Sequence, residues 1–203
     1  MTLEDPAFAG LWPWEPITPS DAGDVFRALP VPWWISGGWA IELFLGGPTR
    51  HHYDLDLAIL RSDQHALRRH LAGWDLHVAM PDRRLEPWDG RFLEPPIARV
   101  WIRRARGAPW LCDSYLEEAR DDRWVYREDE RVSLPLGRLG RRTEEGLPYL
   151  SPEIVLFYML VRPTPKAKAD FLAARRKLSQ EGRAWLRRAL ELAYPGHPVL
   201  PLL

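Results

Sequence analysis

Two aspartates two residues apart, Asp54 and Asp56, are the side chains whose spacing most directly indicates chemistry. They lie in an apolar run, and in a strand the side chains at i and i+2 point to the same face. Two carboxylates held side by side repel each other and favour a shared cation. A hard divalent ion such as Mg²⁺ takes oxygen ligands and accepts substrate phosphates in its shell. The pair therefore indicates phosphoryl or nucleotidyl transfer.

A glycine pair upstream of these acids could supply a phosphate site. Gly37 and Gly38 follow Ser36 at the end of an apolar run, and a short helical pattern comes after them. The N-terminus of a helix binds anions because its first N–H groups have no partner within the helix. We therefore predict that Ser36, Gly37 and Gly38 hold a triphosphate, whereas a glycine pair taken alone is more typical of a plain turn.

Composition limits the classes of protein. The chain has 203 residues with 28 basic and 28 acidic side chains, so no basic excess is present to hold a polyanion. We therefore expect no nucleic-acid partner. The single Cys112 cannot form an internal disulfide, and no signal peptide or apolar run of the roughly 20 residues needed to span a bilayer is visible. These features predict a cytoplasmic protein without a membrane partner.

The elements that must position the candidate residues follow a mixed β/α pattern and then a helical one. Strands are predicted over 31–36, 54–60, 75–79, 97–103 and 110–116, and helices over 39–45, 64–71, 153–161 and 169–193. An irregular arm packed by its tryptophans covers 1–18, a loop-like insert covers 81–96, and Gly182 is a candidate helix break. We expect an α/β (α+β) fold: a small mixed sheet flanked by helices in residues 1–148, and a helical C-terminal region in residues 149–203.

The order of strand, Gly-Gly, helix and Asp-x-Asp strand resembles the nucleotidyltransferase superfamily of the DNA polymerase β type. The T-R-x-H-x-D-x-D pattern of Thr49, Arg50, His52, Asp54 and Asp56 is more specific. With the runs WVYREDERVSLPL and GLPYLSPEIVLFYMLVRP, it is similar to the aminoglycoside 2″-adenylyltransferase-like and lincosamide nucleotidyltransferase-like proteins. The resemblance runs from about residue 31 to the C-terminus.

This resemblance implies Mg²⁺, and ATP or another nucleoside triphosphate as co-substrate. A nucleoside monophosphate would pass to a hydroxyl of a small acceptor, of which an aminoglycoside- or lincosamide-like antibiotic is one candidate, and antibiotic resistance is then the expected role. Asp54 and Asp56 are the implied catalytic metal ligands. A third carboxylate normally completes the site, and Asp113 is the best match, either as a metal ligand or as the general base. A monomer or a homodimer is expected.

The sequence indicates the residues that would supply positive charge to the triphosphate less directly than it indicates the acidic residues. Arg50 is equally compatible with a phosphate clamp and with a surface salt bridge. Relatives carry lysines where Met159 and Val161 stand here, so either the nucleotide binds more weakly or other cations take over that role. The candidates are Arg162, Lys166 and Lys168, of which Lys166 is assigned to the cofactor site.

Two further functions stay open at this point. The missing lysines motivate a catalytically weakened nucleotide-binding protein with the same fold. An antitoxin-like protein, in which the modified hydroxyl belongs to a partner protein, is the other alternative. The helical C-terminal region argues against it, because small antitoxins of this superfamily usually consist of little more than the core.

Overall fold

The computed structural model describes residues 13–203. Its α-helices are α1 (Pro19–Phe26), α2 (Gly37–Leu45), α3 (Gln64–His70), α4 (Pro152–Val161), α5 (Pro165–Ala174) and α6 (Gln180–Ala193). Its strands are β1 (Trp33–Ile35), β2 (Asp56–Leu60), β3 (Asp75–Ala79), β4 (Leu85–Pro87), β5 (Arg99–Arg103), β6 (Cys112–Arg120), β7 (Arg123–Tyr126), β8 (Asp129–Pro135), β9 (Gly140–Arg142) and β10 (Pro148–Leu150). The predicted mixture of strands followed by helices is confirmed. Each helix in this range is too short or too polar to cross a membrane.

The chain forms two compact units, and neither is one continuous segment. The first unit runs to Ile35 and resumes over His52–Glu117, and the second consists of Ser36–His51 and Glu118–Leu203. The expected boundary between residues 148 and 149 falls at β10, within the second unit, and stays a prediction.

A mixed sheet with the strand order β4-β3-β5-β6-β2-β1 forms the first unit. β2 and β6 run parallel, and the other neighbours in this order are antiparallel. Asp56 lies opposite Asp113 in the parallel pair. Residues opposite each other on neighbouring strands project to the same face, so this register sets the two aspartates side by side.

β2 begins at Asp56, two residues later than the predicted strand, so Asp54 lies in the segment that enters the strand. Leu55, Leu57 and Ile59 are buried on one face of the strand, and Ala58 is buried on the other. Asp56 and Leu60 flank Ala58 on that second face and are half-buried. Pairing with β6 already starts at Leu55, whose carbonyl accepts from Asp113 N at 2.9 Å.

The insert over 81–96 is fastened to the start of α3 by two buried side chains. Arg61 Nη1 donates to the carbonyls of Leu93 and Ile97 at 2.6 and 2.7 Å. Gln64 is fully buried; its amide accepts from Leu93 N at 2.7 Å and donates to the Arg61 carbonyl at 2.9 Å. The insert therefore has a fixed attachment although most of it is irregular.

Tryptophans of the first unit form core rather than a surface cleft. Trp101 and Trp110 are buried against Ala79, and Trp14 packs against this cluster with its ring 4.9 Å from that of Trp101. The prediction of a tryptophan-packed arm is met at Trp14, and the remainder of the arm up to Trp12 lies outside the described residues.

α4 is the buried centre of the second unit and packs against α2, α5 and α6. Its predicted burial is confirmed from Pro152 to Phe157. Ser151 occupies the N-cap position but makes no capping bond, because its Oγ donates to the Arg138 carbonyl at 2.6 Å. Around the helices, β7 pairs with the end of β6 and with β8, and β9 pairs with β10.

The helical pattern over 169–193 is split between α5 and α6, and the break lies before Gly182 rather than at it. Ser179 caps α6 by accepting from Gly182 N at 3.1 Å. A Cβ at position 182 would lie 3.3 Å from Ser179 Oγ and 3.5 Å from the Glu153 carboxyl group. Glycine therefore serves close packing in the first turn of α6, and the predicted break at Gly182 is wrong.

We expect Gln64→Ala to lower the free energy of unfolding by about 2–4 kcal/mol, because it leaves buried backbone groups of Leu93 and Arg61 without their partners. Urea unfolding followed by tryptophan fluorescence measures the change. Arg69→Ala, on the exposed side of the same helix, is the control and should have a much smaller effect. Equal effects of the two substitutions would contradict the anchoring role of Gln64.

Candidate active site

Three aspartates of the first unit form the acidic part of the candidate site. Asp56 and Asp113 are lateral neighbours on β2 and β6, and Asp54 precedes β2. Asp113 is 1 % exposed, whereas Asp54 and Asp56 are half-buried. The predicted neighbours Asp56 and Asp113 are thus brought together by strand register.

Electrostatics show that the three carboxylates share one environment. Burial raises the pKa of Asp56 well above its ordinary value, and the charges of Asp54 and Asp113 raise it further. Burial also raises the pKa of Asp113, against the opposite effect of the Arg99 guanidinium. Both raised pKa values show that negative charge is unfavourable at these positions. A bound cation would make the charged carboxylates more favourable.

Arg99 on β5 is a residue of this site that the sequence reasoning missed. Its Nε donates to Asp113 Oδ2 at 2.8 Å, and its Nη2 contacts the same oxygen. The guanidinium carbon lies 5.1 Å from the centroid of the Tyr115 ring. Trp101 on β5 lies opposite Asp113 on β6, so the alternation of side chains along β5 places Arg99 on the face of Asp113. That alternation was the available signal.

The donor chemistry of the site suits a hard cation, but a complete three-ligand set is not assembled. Carboxylate oxygens are the donors that Mg²⁺ prefers, and Asp113 Oδ1 is a buried acceptor without a hydrogen-bond partner. Within residues 13–203, no three His, Cys, Asp or Glu side chains are grouped so as to hold a metal ion. The assignment of Asp54, Asp56 and Asp113 as metal ligands therefore stays a prediction.

Other carboxylates of the first unit have different surroundings from Asp113. Asp75 accepts from Arg103 Nε at 2.7 Å and lies 3.1 Å from His77 Nε2. Glu117 is buried on β6, and Glu94 is exposed in the insert. Asp113 is the acid that lies directly opposite Asp56, and so remains the best match.

The predicted phosphate segment begins α2 in the second unit. The helix starts at Gly37, two residues earlier than predicted, with Ser36 as an N-cap that makes no side-chain capping bond. Gly37 has a φ of +58°, a conformation that strongly favours glycine. The first N–H groups of α2 are thus presented without a side-chain cap, as an anion site requires.

Glu42 fixes the segment that follows α2. Its Oε1 accepts from Thr49 N at 2.6 Å, from Thr49 Oγ1 at 2.8 Å and from Arg50 N at 2.9 Å. These contacts close the turn that contains Thr49 and Arg50.

Arg50 forms an ion pair within the second unit. Its Nε and Nη2 donate to the two carboxylate oxygens of Asp170 at 3.2 and 3.0 Å, and Asp170 is 4 % exposed. This bidentate geometry is the strong form of an arginine–carboxylate pair. Asp170 was missed because it lies 120 residues along the chain. The role of Arg50 toward a phosphate stays a prediction, as does that of the half-buried Lys166 in the first turn of α5.

Comparisons with known proteins agree with this architecture. Residues 21–85 match the family model described as aminoglycoside-2″-adenylyltransferase. A search of the curated proteins finds no match. The matched residues contain Gly37, Gly38, Asp54 and Asp56, but neither Arg99 nor Asp113.

Solved structures share the fold. The lincosamide antibiotic adenylyltransferase LnuA, bound to lincomycin, is 17 % identical with a TM-score of 0.53 over 79 % of this chain and 98 % of its own. ANT(2″)-Ia in complex with adenylyl-2″-tobramycin is 21 % identical with a TM-score of 0.53 over 87 % of this chain and 94 % of its own. The predicted nucleotidyltransferase fold is confirmed, and the family-model match supports the resemblance drawn from the sequence.

The Arg50–Asp170 pair should show a large coupling energy. We expect a double-mutant cycle with Arg50→Met and Asp170→Asn to yield about 1–3 kcal/mol, because breaking a partly buried pair leaves an uncompensated charge. Urea unfolding of the four proteins measures it. The exposed Arg27–Asp24 pair is the matched control and should couple much more weakly. Equal couplings would show that the Arg50–Asp170 pair behaves as a surface pair.

Removing one charge from the acidic site should stabilise the protein in the absence of metal. We expect Asp56→Asn to raise the Tm in EDTA by about 2–5 °C, because it relieves repulsion with Asp54 and Asp113. Differential scanning calorimetry measures the change, and Asp24→Asn at an exposed position is the control. A lower Tm for Asp56→Asn than for the parent protein would contradict the crowding of the three carboxylates.

Proposed function

We propose that the protein is a Mg²⁺-dependent nucleotidyltransferase. It would move a nucleoside monophosphate, AMP from ATP in the first instance, to a hydroxyl of a small molecule such as an aminoglycoside or a lincosamide. The observation that carries the proposal is the register of β2 and β6, which aligns Asp56 with Asp113. The family-model match over residues 21–85 and the shared fold support it.

Asp54 and Asp56 would hold Mg²⁺, which when bound neutralises phosphate charge and aligns the reacting oxygens. Asp113 Oδ1 would accept the proton of the acceptor hydroxyl as general base. The acceptor oxygen forms a bond to the α-phosphorus as the bond from that phosphorus to the pyrophosphate oxygen breaks. Pyrophosphate leaves with the electron pair of the broken bond, and Asp113 later returns the proton to solvent.

The triphosphate would be bound at the start of α2. Ser36, Gly37 and Gly38 would donate backbone N–H groups at the start of α2 to the triphosphate. Lys166 and Arg50 would add positive charge. Arg50 is paired with Asp170. Its guanidinium would therefore act on the phosphates from a fixed position, with its charge partly balanced by the Asp170 carboxylate.

The acceptor class is argued from similarity. The two solved relatives are described with lincomycin and with adenylyl-2″-tobramycin, and both chains are covered almost completely by the match. A role in antibiotic resistance from a cytoplasmic location follows as part of the proposal. The corresponding partners are a nucleoside triphosphate and a small hydroxylated acceptor.

The test is pyrophosphate release from ATP with Mg²⁺ and a panel of aminoglycosides and lincosamides. We expect turnover with at least one acceptor, a loss of rate on the order of 10²–10³-fold in Asp54→Asn and Asp56→Asn, and no activity in EDTA. Asp24→Asn is the control for the same change at an exposed site. Absence of turnover with every acceptor and of nucleotide binding by calorimetry would refute the proposal.

Binding without transfer would favour the catalytically weakened alternative. The observation behind that alternative is the apolar pair Met159 and Val161 on α4, roughly where the family resemblance implies lysines. An antitoxin-like function would instead require a tight complex with a partner protein and no turnover of small molecules.

A further inference from the structure

Arg99 makes an unsymmetrical contact with Asp113. Both Nε and Nη2 of the guanidinium reach Oδ2 of the carboxylate, whereas Oδ1 is buried without a hydrogen-bond partner. A side-on bidentate pair would engage both oxygens, as Arg50 and Asp170 do. The arrangement at Asp113 therefore fixes the carboxylate through one oxygen and leaves the other available.

The aromatic surroundings hold Arg99 in this orientation. Its guanidinium carbon lies 5.1 Å from the ring centroid of Tyr115 and 6.0 Å from that of Trp101. The side chain is 16 % exposed. A guanidinium confined between two rings and a buried carboxylate has few alternative rotamers, so its contact with Asp113 is preorganised.

Charge also separates Asp113 from its two acidic neighbours. Three carboxylates and one guanidinium leave a net negative charge that a single divalent cation can balance. A positive charge bound to Asp113 repels a cation that approaches the same carboxylate, and this repulsion is strong over a few ångströms in a partly desolvated site. The absence of a grouped three-ligand set within residues 13–203 agrees with this separation.

We propose that Arg99 is a positioning residue that withholds Asp113 from the metal and aims its Oδ1 at the acceptor hydroxyl. Asp54 and Asp56 then hold the metal as a pair, and Asp113 serves the acceptor alone. This inference rests on the proposed nucleotidyl transfer for its catalytic part, whereas its metal-binding part can be measured without turnover.

Mn²⁺ binding followed by electron paramagnetic resonance, without nucleotide or acceptor, tests the metal-binding part. Mn²⁺ stands in for Mg²⁺ because it also takes oxygen ligands. We expect Asp54→Asn to abolish binding and Asp113→Asn to leave the affinity within about twofold, less than 0.5 kcal/mol. Arg99→Met should raise the affinity severalfold because it frees Asp113 to bind the metal. The double variant Arg99→Met/Asp113→Asn should lose that gain.

Steady-state kinetics on the same proteins test the positioning part. We expect Arg99→Met to lower kcat by roughly 10²-fold with little change in the KM for ATP, because the acceptor hydroxyl loses its oriented base while the nucleotide keeps its contacts. Arg99→Lys should restore the Mn²⁺ affinity of the parent protein, because it keeps the charge, and should restore kcat only in part.

Arg103→Met is the matched control, since Arg103 lies on the same strand and pairs with a different acid, Asp75. It should lower stability without changing the Mn²⁺ affinity or kcat. If Arg99→Met proves unfolded, Arg99→Lys and the double variant carry the test.

The proposal is overturned if Asp113→Asn weakens Mn²⁺ binding tenfold, if Arg99→Met does not raise the affinity, or if its kinetic effect equals that of Arg103→Met. Absence of turnover in the parent protein together with the expected Mn²⁺ pattern would instead refute nucleotidyl transfer alone.

Discussion

Like charges at neighbouring positions of a parallel strand pair are the constraint on which the first unit depends. Backbone hydrogen bonds between β2 and β6 set Asp56 opposite Asp113 on the same face of the sheet. Burial adds to the cost of both charges. The sheet therefore holds an unfavourable arrangement of charges that a cation relieves, and Arg99 is a cation that the chain itself provides. Stored strain of this kind is typical of functional sites.

Arginine also pairs with buried carboxylates in the second unit. Asp170 receives Arg50, and Glu153 at the start of α4 receives Arg141 at 3.0 Å. Of the 28 basic residues, 25 are arginine, and several serve internal acids rather than external phosphates. The planar guanidinium suits this task because two of its donors can meet one carboxylate. The high arginine content is thus explained in part by ion pairs with buried acids and not by ligand binding alone.

Contiguous motifs were readable from the sequence, and contacts between distant segments were not. The Asp54-x-Asp56 pair, the glycine pair before α2 and the burial of α4 each depend on residues within one element, and the predicted fold followed from their order. Arg99 lies 14 residues from Asp113, and Asp170 lies 120 residues from Arg50. Only the register between β5 and β6 could have indicated the contact between Arg99 and Asp113. No local sequence pattern indicates the contact between Arg50 and Asp170. Gly182 was misread because glycine weakens a helix in general, whereas here it allows close approach to Glu153.

The path of the chain through its two units has a consequence for how the protein can be divided. Ser36–His51 belongs to the second unit, yet it lies in sequence between the two segments of the first. α2 in that segment packs against α4 and α5. A protease cut after Glu117 would therefore not release either unit. The N-terminal fragment would contain α2, which packs against helices of the C-terminal fragment. A single crossover point in the sequence could therefore not exchange either unit as a whole with that of a relative.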